Sequence, residues 1–84
     1  MYYTYILRSL KDKRLYIGST RDLEKRIKAH NSGKVRSTKS RRLFELIYYE
    51  EFDSYTEARV RENFLKSGAG RGWIRENIID NKFD

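Results

Sequence analysis

The sequence predicts an α+β fold, an α/β sandwich-like domain in which a three-stranded, mostly antiparallel sheet is flanked by helices in the order β-β-α-β-α-α. Three observations predict it. Two runs near the N-terminus alternate aromatic and β-branched residues with a period of two. A third run, residues 43–52, is almost continuously apolar at its centre. The stretches after the second and third runs repeat apolar residues every three or four positions, as helices packed on one side do.

Composition sets the scale. A chain of 84 residues, with 38% hydrophobic and 37% charged, supports one domain over residues 1–84 with a thin core. Seven Tyr, four Phe and one Trp enlarge that core, because each aromatic buries a large area. The absence of cysteine excludes a disulfide framework and a Cys-ligated zinc site. No apolar run reaches the length of a signal peptide or a membrane span, so a cytoplasmic protein is expected. A net charge of +7, with pI ≈ 9.8, favours a polyanionic partner, nucleic acid ahead of an anionic membrane surface.

The first strand, residues 2–8, puts Tyr3, Tyr5 and Leu7 on one face and Tyr2, Thr4, Ile6 and Arg8 on the other. Leu10, Lys11, Asp12 and Lys13 form a charged hairpin turn. The second strand, residues 14–18, sets Tyr16 opposite Leu15 and Ile17. Gly18 is expected to end it, leaving room for another backbone or a phosphate to approach. Ser19 and Thr20 are candidate N-caps of the helix that follows, and Asp22 and Glu24 suit its positive end. Leu23 and Ile27 would pack on the sheet, while Asp22, Arg26 and His30 form a polar stripe. Asn31, Ser32 and Gly33 end the helix.

Between residues 31 and 42 a loop is expected. Residues 34–42 hold five basic residues and no acid. Lys34, Arg36, Lys39, Arg41 and Arg42 are candidate phosphate contacts, with Ser37 and Thr38 adding hydroxyl donors; the plainer alternative is a solvated loop. The third strand is expected at the buried centre of the sheet, with Leu46 and Tyr48 on one face and Ile47 and Tyr49 on the other. Glu50 and Glu51 close it as solvated charges balancing the basic loop.

Ser54 and Glu57 have the spacing of a capping box and open a second helix running to about Ser67. Its sheet-facing positions include Glu62, and a carboxylate there needs a partner, such as Arg26 or Arg61, or a cation. The glycine-rich segment of residues 68–72 is expected to be a connector, because it lacks the GK[ST] end of a phosphate-binding Walker loop. Residues 73–81 form a short closing helix with Trp73, Ile74, Ile78 and Ile79 as core.

Tyr5, then Tyr16-Ile17-Gly18, then Arg26 and His30 on the following helix resemble the GIY-YIG nuclease superfamily, specifically its small stand-alone members. The segments at 44–51 and 57–62 extend the resemblance to about Lys66. Tyr3-Thr4-Tyr5 stands where the family has Gly-Ile-Tyr, so the functional tyrosine of that element matches Tyr5 and its glycine is absent.

The resemblance implies a metal-dependent endonuclease hydrolysing phosphodiester bonds in DNA. Glu62 matches the single protein ligand of a divalent ion, Mg²⁺ or Mn²⁺. Tyr5 and Tyr16 are its candidate bases, with Tyr16 first. Free tyrosine has a pKa of about 10, too high to act unaided near neutrality; Arg26, neighbouring lysines and a metal would favour the phenolate. Arg26 would hold the phosphate with a planar fork of donors, and His30 would relay a proton or bind phosphate. Asn77 is the nearest match to a supporting asparagine. The resemblance also implies that sequence-reading relatives carry a further DNA-recognition domain, so here a branched, nicked or single-stranded target, or a recruiting protein partner, is expected to direct cleavage. The alternative is a non-catalytic nucleic-acid-binding module that retains the fold.

Overall fold

The computed structural model describes residues 1–79. Strand β1 spans Tyr2–Ser9, β2 Leu15–Thr20, helix α1 Leu23–Asn31, β3 Phe44–Phe52, α2 Tyr55–Lys66 and α3 Gly68–Ile74. A short 3₁₀ turn at Lys39–Arg41 precedes β3, and a π turn at Arg75–Ile79 follows α3. The last two positions of the expected closing helix, 80 and 81, lie outside the described residues. Among the described residues no helix is long and apolar enough to cross a membrane.

The sheet is three-stranded and antiparallel, in the order β2-β1-β3. The first strand is therefore the central one, not the third as its apolar run suggests. Thr4, Tyr5, Ile6 and Leu7 of β1 are all buried, because both faces of this strand are covered. The threonine hides in that run by donating its hydroxyl to the Ala58 carbonyl at 2.6 Å. At the edge, β3 leaves Glu45, Tyr49 and Glu51 exposed.

On one face Tyr5, Leu7 and Phe44 form a core that Tyr16, Leu46 and the α1 residues Leu23 and Ile27 extend. On the other, Ile6 packs with Leu65 of α2 and Ile74 of α3, surrounded by Leu15, Ile17, Ile47, Tyr48 and Trp73. Strict alternation along β3 fails at one point. Ile6 pairs with Tyr48 but Leu7 pairs with Leu46, so Ile47 is the extra residue of a β-bulge. Ile47 and Tyr48 consequently join the same core, whereas Tyr48 and Leu46 were expected to share a face.

Local chemistry explains the remaining boundaries. Gly18 does not end β2, which continues through Ser19 and Thr20; the cap of α1 is Asp22, whose carboxylate accepts from the Lys25 amide at 3.0 Å. Ser54 caps α2 by accepting from the Glu57 amide at 3.1 Å, the predicted box. The segment at 68–72 is helical rather than a connector. Ser67 both ends α2 and caps α3, accepting from the Gly70 amide at 3.1 Å. A β-carbon on Gly70 would run into the Phe64 carbonyl oxygen, so glycine here lets two helices meet backbone to backbone.

Candidate active site

Tyr5 and Gly18 face each other across β1 and β2. A β-carbon on Gly18 would lie 2.5 Å from the Tyr5 hydroxyl oxygen, so the tyrosine reaches over the glycine toward the outer edge of the sheet. The room expected for a phosphate at Gly18 is taken by this phenol, and Gly18 itself is buried.

Helix α1 brings two groups to that phenol. Arg26 Nε donates to the Tyr5 hydroxyl at 3.4 Å, and His30 Nε2 lies 3.0 Å from it. The four-residue spacing of Arg26 and His30 puts both on the sheet side of the helix; Asp22, the third member of the expected stripe, is the exposed cap. Tyr16, half-buried, meets the His30 ring edge-on at 4.7 Å between centroids and the Tyr5 ring at 6.3 Å. Tyr5, Tyr16, Arg26 and His30 thus converge.

Burial governs their ionisation. Tyr5 is 1% exposed, and its pKa is pushed up to about 12 because desolvation outweighs the Arg26 hydrogen bond. The expected help from Arg26 toward a Tyr5 phenolate is therefore overridden. His30 is fully buried, and desolvation, with the Arg26 charge, pushes its pKa down to about 4. Its imidazole is neutral at physiological pH. The Tyr5 hydrogen bond holds the Arg26 guanidinium above its ordinary pKa.

Glu62 approaches from the opposite face. Ser19, one residue beyond Gly18 and pointing the other way, donates to Glu62 Oε1 at 2.6 Å. Lys66 Nζ donates to Oε2 at 2.6 Å, and Arg59 lies 3.4 Å from Oε1. The carboxylate is 8% exposed; burial raises its pKa, but the Lys66 and Ser19 hydrogen bonds prevail and hold it below the usual range. Its partners are thus Lys66 and Arg59, one helical turn away on α2, and not the expected Arg26 or Arg61. Arg61 projects elsewhere and grips Glu50 at 2.9 and 3.0 Å. Glu50, which also accepts from the Tyr48 hydroxyl, is consequently a clamped ion pair rather than a solvated charge. The Glu62 charge still reaches round the edge strand, where it adds to the upward shift of Tyr5.

Among the described residues Glu62 is the one ionised, buried carboxylate beside this edge strand to which a divalent ion could bind. Among the described residues no three His, Cys, Asp or Glu side chains gather, so a divalent ion there would have this single carboxylate from the protein and would need water and phosphate oxygens for the rest. The Lys66 ammonium and the Arg59 guanidinium, both about half exposed, would have to yield.

The basic loop divides. Lys34, Arg36, Lys39 and Arg42 face solvent. Arg41 is instead structural: it pairs with Asp12 at 3.1 Å, donates to the Leu15 carbonyl at 3.4 Å and lies over the Phe44 ring. Thr38 is fully buried, with its hydroxyl 2.8 Å from His30 Nδ1, so it is no phosphate donor. Asn77 donates to the Trp73 carbonyl at 2.9 Å and lines a groove with Arg8, Glu45 and Tyr48, toward the hairpin end of the sheet and away from Glu62.

Sequence reasoning missed Ser19, Lys66 and Arg59 as partners of Glu62. Lys66 at four residues and Arg59 at three were readable as helix-face neighbours of a carboxylate. Ser19 was readable from strand alternation only once β2 is known to continue past Gly18.

The model of the GIY-YIG catalytic domain matches residues 1–73. The UPF0213 protein of Clostridium perfringens is 48% identical over 67 residues, 79% of this chain and 71% of its own. UPF0213 protein YsiG of Lactococcus lactis is 40% identical over 87 residues, covering 98% of this chain and 83% of its own. The solution NMR structure of a UPF0213 protein from Bacillus halodurans superposes with a TM-score of 0.53 at 36% identity, covering 90% of this chain and 84% of that one.

Proposed function

The chain belongs to the GIY-YIG family of nuclease domains, and from that premise we propose that it is a metal-dependent endonuclease hydrolysing phosphodiester bonds in DNA, directed by the structure of its target or by a partner protein. The observation that carries this reading is the meeting of two chemistries across one edge strand. A phenol–guanidinium–imidazole cluster lies over Gly18, and an ionised, buried carboxylate hangs from Ser19.

The residues divide the work as follows. Arg26 presents its guanidinium to a phosphate, anchored by Tyr5 behind it. Tyr16, half-buried where Tyr5 is closed off, would act as its phenolate, taking the proton of the attacking water to become the neutral phenol as the new O–P bond forms and the P–O bond to the leaving oxygen breaks. Tyr5 and His30 are a buried support that fixes the direction of Arg26. Glu62 would hold Mg²⁺ or Mn²⁺, which supplies charge stabilisation to the phosphoryl oxygens and the leaving group. Lys34, Arg36, Lys39 and Arg42 carry the backbone contacts.

A second reading, a binding module without catalysis, is favoured by one observation. Both Glu62 oxygens are engaged, by Lys66 on one side and by Ser19 and Arg59 on the other. Labelled duplex, single-stranded and branched DNA incubated with the protein in Mg²⁺, Mn²⁺ or EDTA separate the two. Metal-dependent products support the nuclease; salt-sensitive binding without products on every substrate supports the module.

A further inference from the structure

The hydrogen bonds behind Tyr5 run in a single direction, from Arg26 through Tyr5 and His30 to Thr38. Thr38, His30 and Tyr5 are 0%, 0% and 1% exposed, so each of their protons must find a partner inside the protein. Among the described residues no buried side-chain nitrogen or oxygen lacks one. The chain reads Val35 carbonyl, Thr38 Oγ1 at 3.4 Å, His30 Nδ1 at 2.8 Å from that oxygen, then His30 Nε2 and the Tyr5 hydroxyl at 3.0 Å. Arg26 Nε stands at the far end, 3.4 Å from Tyr5.

Both ends are chemically fixed. A guanidinium only donates and a carbonyl only accepts. Arg26 therefore uses a lone pair of Tyr5, whose own proton must go to His30 Nε2. Nε2 is then bare, the imidazole proton sits on Nδ1, and Thr38 Oγ1 accepts it while giving its own proton to Val35. The reverse direction strands the Tyr5 proton against Arg26, which cannot receive it.

We propose that Thr38 is a positioning residue, which holds His30 as the Nδ1–H tautomer so that Nε2 fastens the Tyr5 hydroxyl and Tyr5 in turn aims Arg26. The role in catalysis rests on the nuclease reading; the tautomer does not. Because Thr38 belongs to the basic loop, the same bond ties the phosphate-binding arm to the cluster on α1.

The chain has one histidine, so its imidazole nitrogens are assigned without ambiguity in a long-range ¹H–¹⁵N correlation spectrum at neutral pH. The wild type is expected to show a protonated Nδ1 and a bare Nε2. Thr38→Val, close in shape but without the hydroxyl, is expected to lose that preference, and Thr38→Ser to keep it. A wild-type spectrum with Nε2 protonated, or a folded Thr38→Val with an unchanged spectrum, overturns the proposal. If Thr38→Val does not fold, the wild-type and Thr38→Ser spectra decide. On a cleaved substrate, kcat should fall by up to roughly 100-fold in Thr38→Val, the scale of a misaligned catalytic group, with KM little changed and Thr38→Ser restoring it. An unchanged kcat there overturns the catalytic part. A wild type that cuts nothing overturns the nuclease reading, and the spectra still test the tautomer.

Discussion

The Tyr5 hydroxyl occupies the space of the side chain that Gly18 lacks, 2.5 Å from where a β-carbon would stand. Tyr5 cannot retreat cheaply, because it is buried and bonded to both Arg26 and His30. Gly18→Ala is therefore expected to destabilise the fold by about 1–3 kcal/mol, the range of an overpacked core, and to displace the phenol. Urea unfolding measures the first effect. A variant as stable as the wild type would show that the contact is slack.

The buried His30 makes a pH prediction with a definite sign. Its pKa is about 4 in the fold against 6.5 ordinarily, because burial and Arg26 oppose the charged form. The unfolded chain thus binds the extra proton between those values. The stability this neutral imidazole contributes is complete above about pH 6.5 and is lost as pH falls toward 4, on the order of 3 kcal/mol in all. NMR titration of the imidazole should give a midpoint well below 6; a midpoint near the ordinary value contradicts the account.

Lys66 occupies the Glu62 carboxylate that the proposed divalent ion would need. Lys66→Met removes a competing cation and keeps the aliphatic stem, so Mn²⁺ should bind roughly tenfold more tightly, the scale of one charge-assisted hydrogen bond of about 1.5 kcal/mol. Calorimetric titration with Mn²⁺ alone reads this without any substrate. Equal affinity in both proteins would mean that the ammonium moves aside at no cost.

Much of this architecture was legible in the chain. The period of two placed Tyr5 with Leu7 and Tyr16 apart from Ile17, and the capping box at Ser54 and Glu57 fixed the start of α2. What escaped depended on tertiary context. The central strand was misjudged because Thr4 is a polar residue whose partner, the Ala58 carbonyl, lies 54 positions away. A bulge at Ile47 is invisible to an alternation rule. The glycines of α3 resemble a connector until α2 is seen pressed against Gly70. Within the site, four-residue spacing revealed Arg26 and His30 together. It could not reveal that Glu62 reaches the same edge strand from the other face, since that requires α2 docked on the sheet.

The basic loop should separate phosphate contacts from structure. Lys39→Ala and Arg42→Ala, both exposed, are expected to reduce the slope of log K against log salt by about one unit each on duplex DNA. Arg41→Ala should act first on stability, lowering the unfolding midpoint through its lost bonds to Asp12 and Leu15. Equal effects of all three on the salt slope would contradict this division.

The measurement that bears most directly on the account is single-turnover cleavage of a metal-sensitive DNA substrate by wild type and Glu62→Gln, with binding measured in parallel. Glutamine preserves the shape and can still accept from Ser19, but it carries no charge for a divalent ion. The account predicts wild-type products that vanish in EDTA, at least about a hundredfold slower cleavage by Glu62→Gln, and affinity for DNA within about twofold. Undiminished cleavage by Glu62→Gln would contradict it, because the carboxylate on the far face of β2 would then have no part in the chemistry.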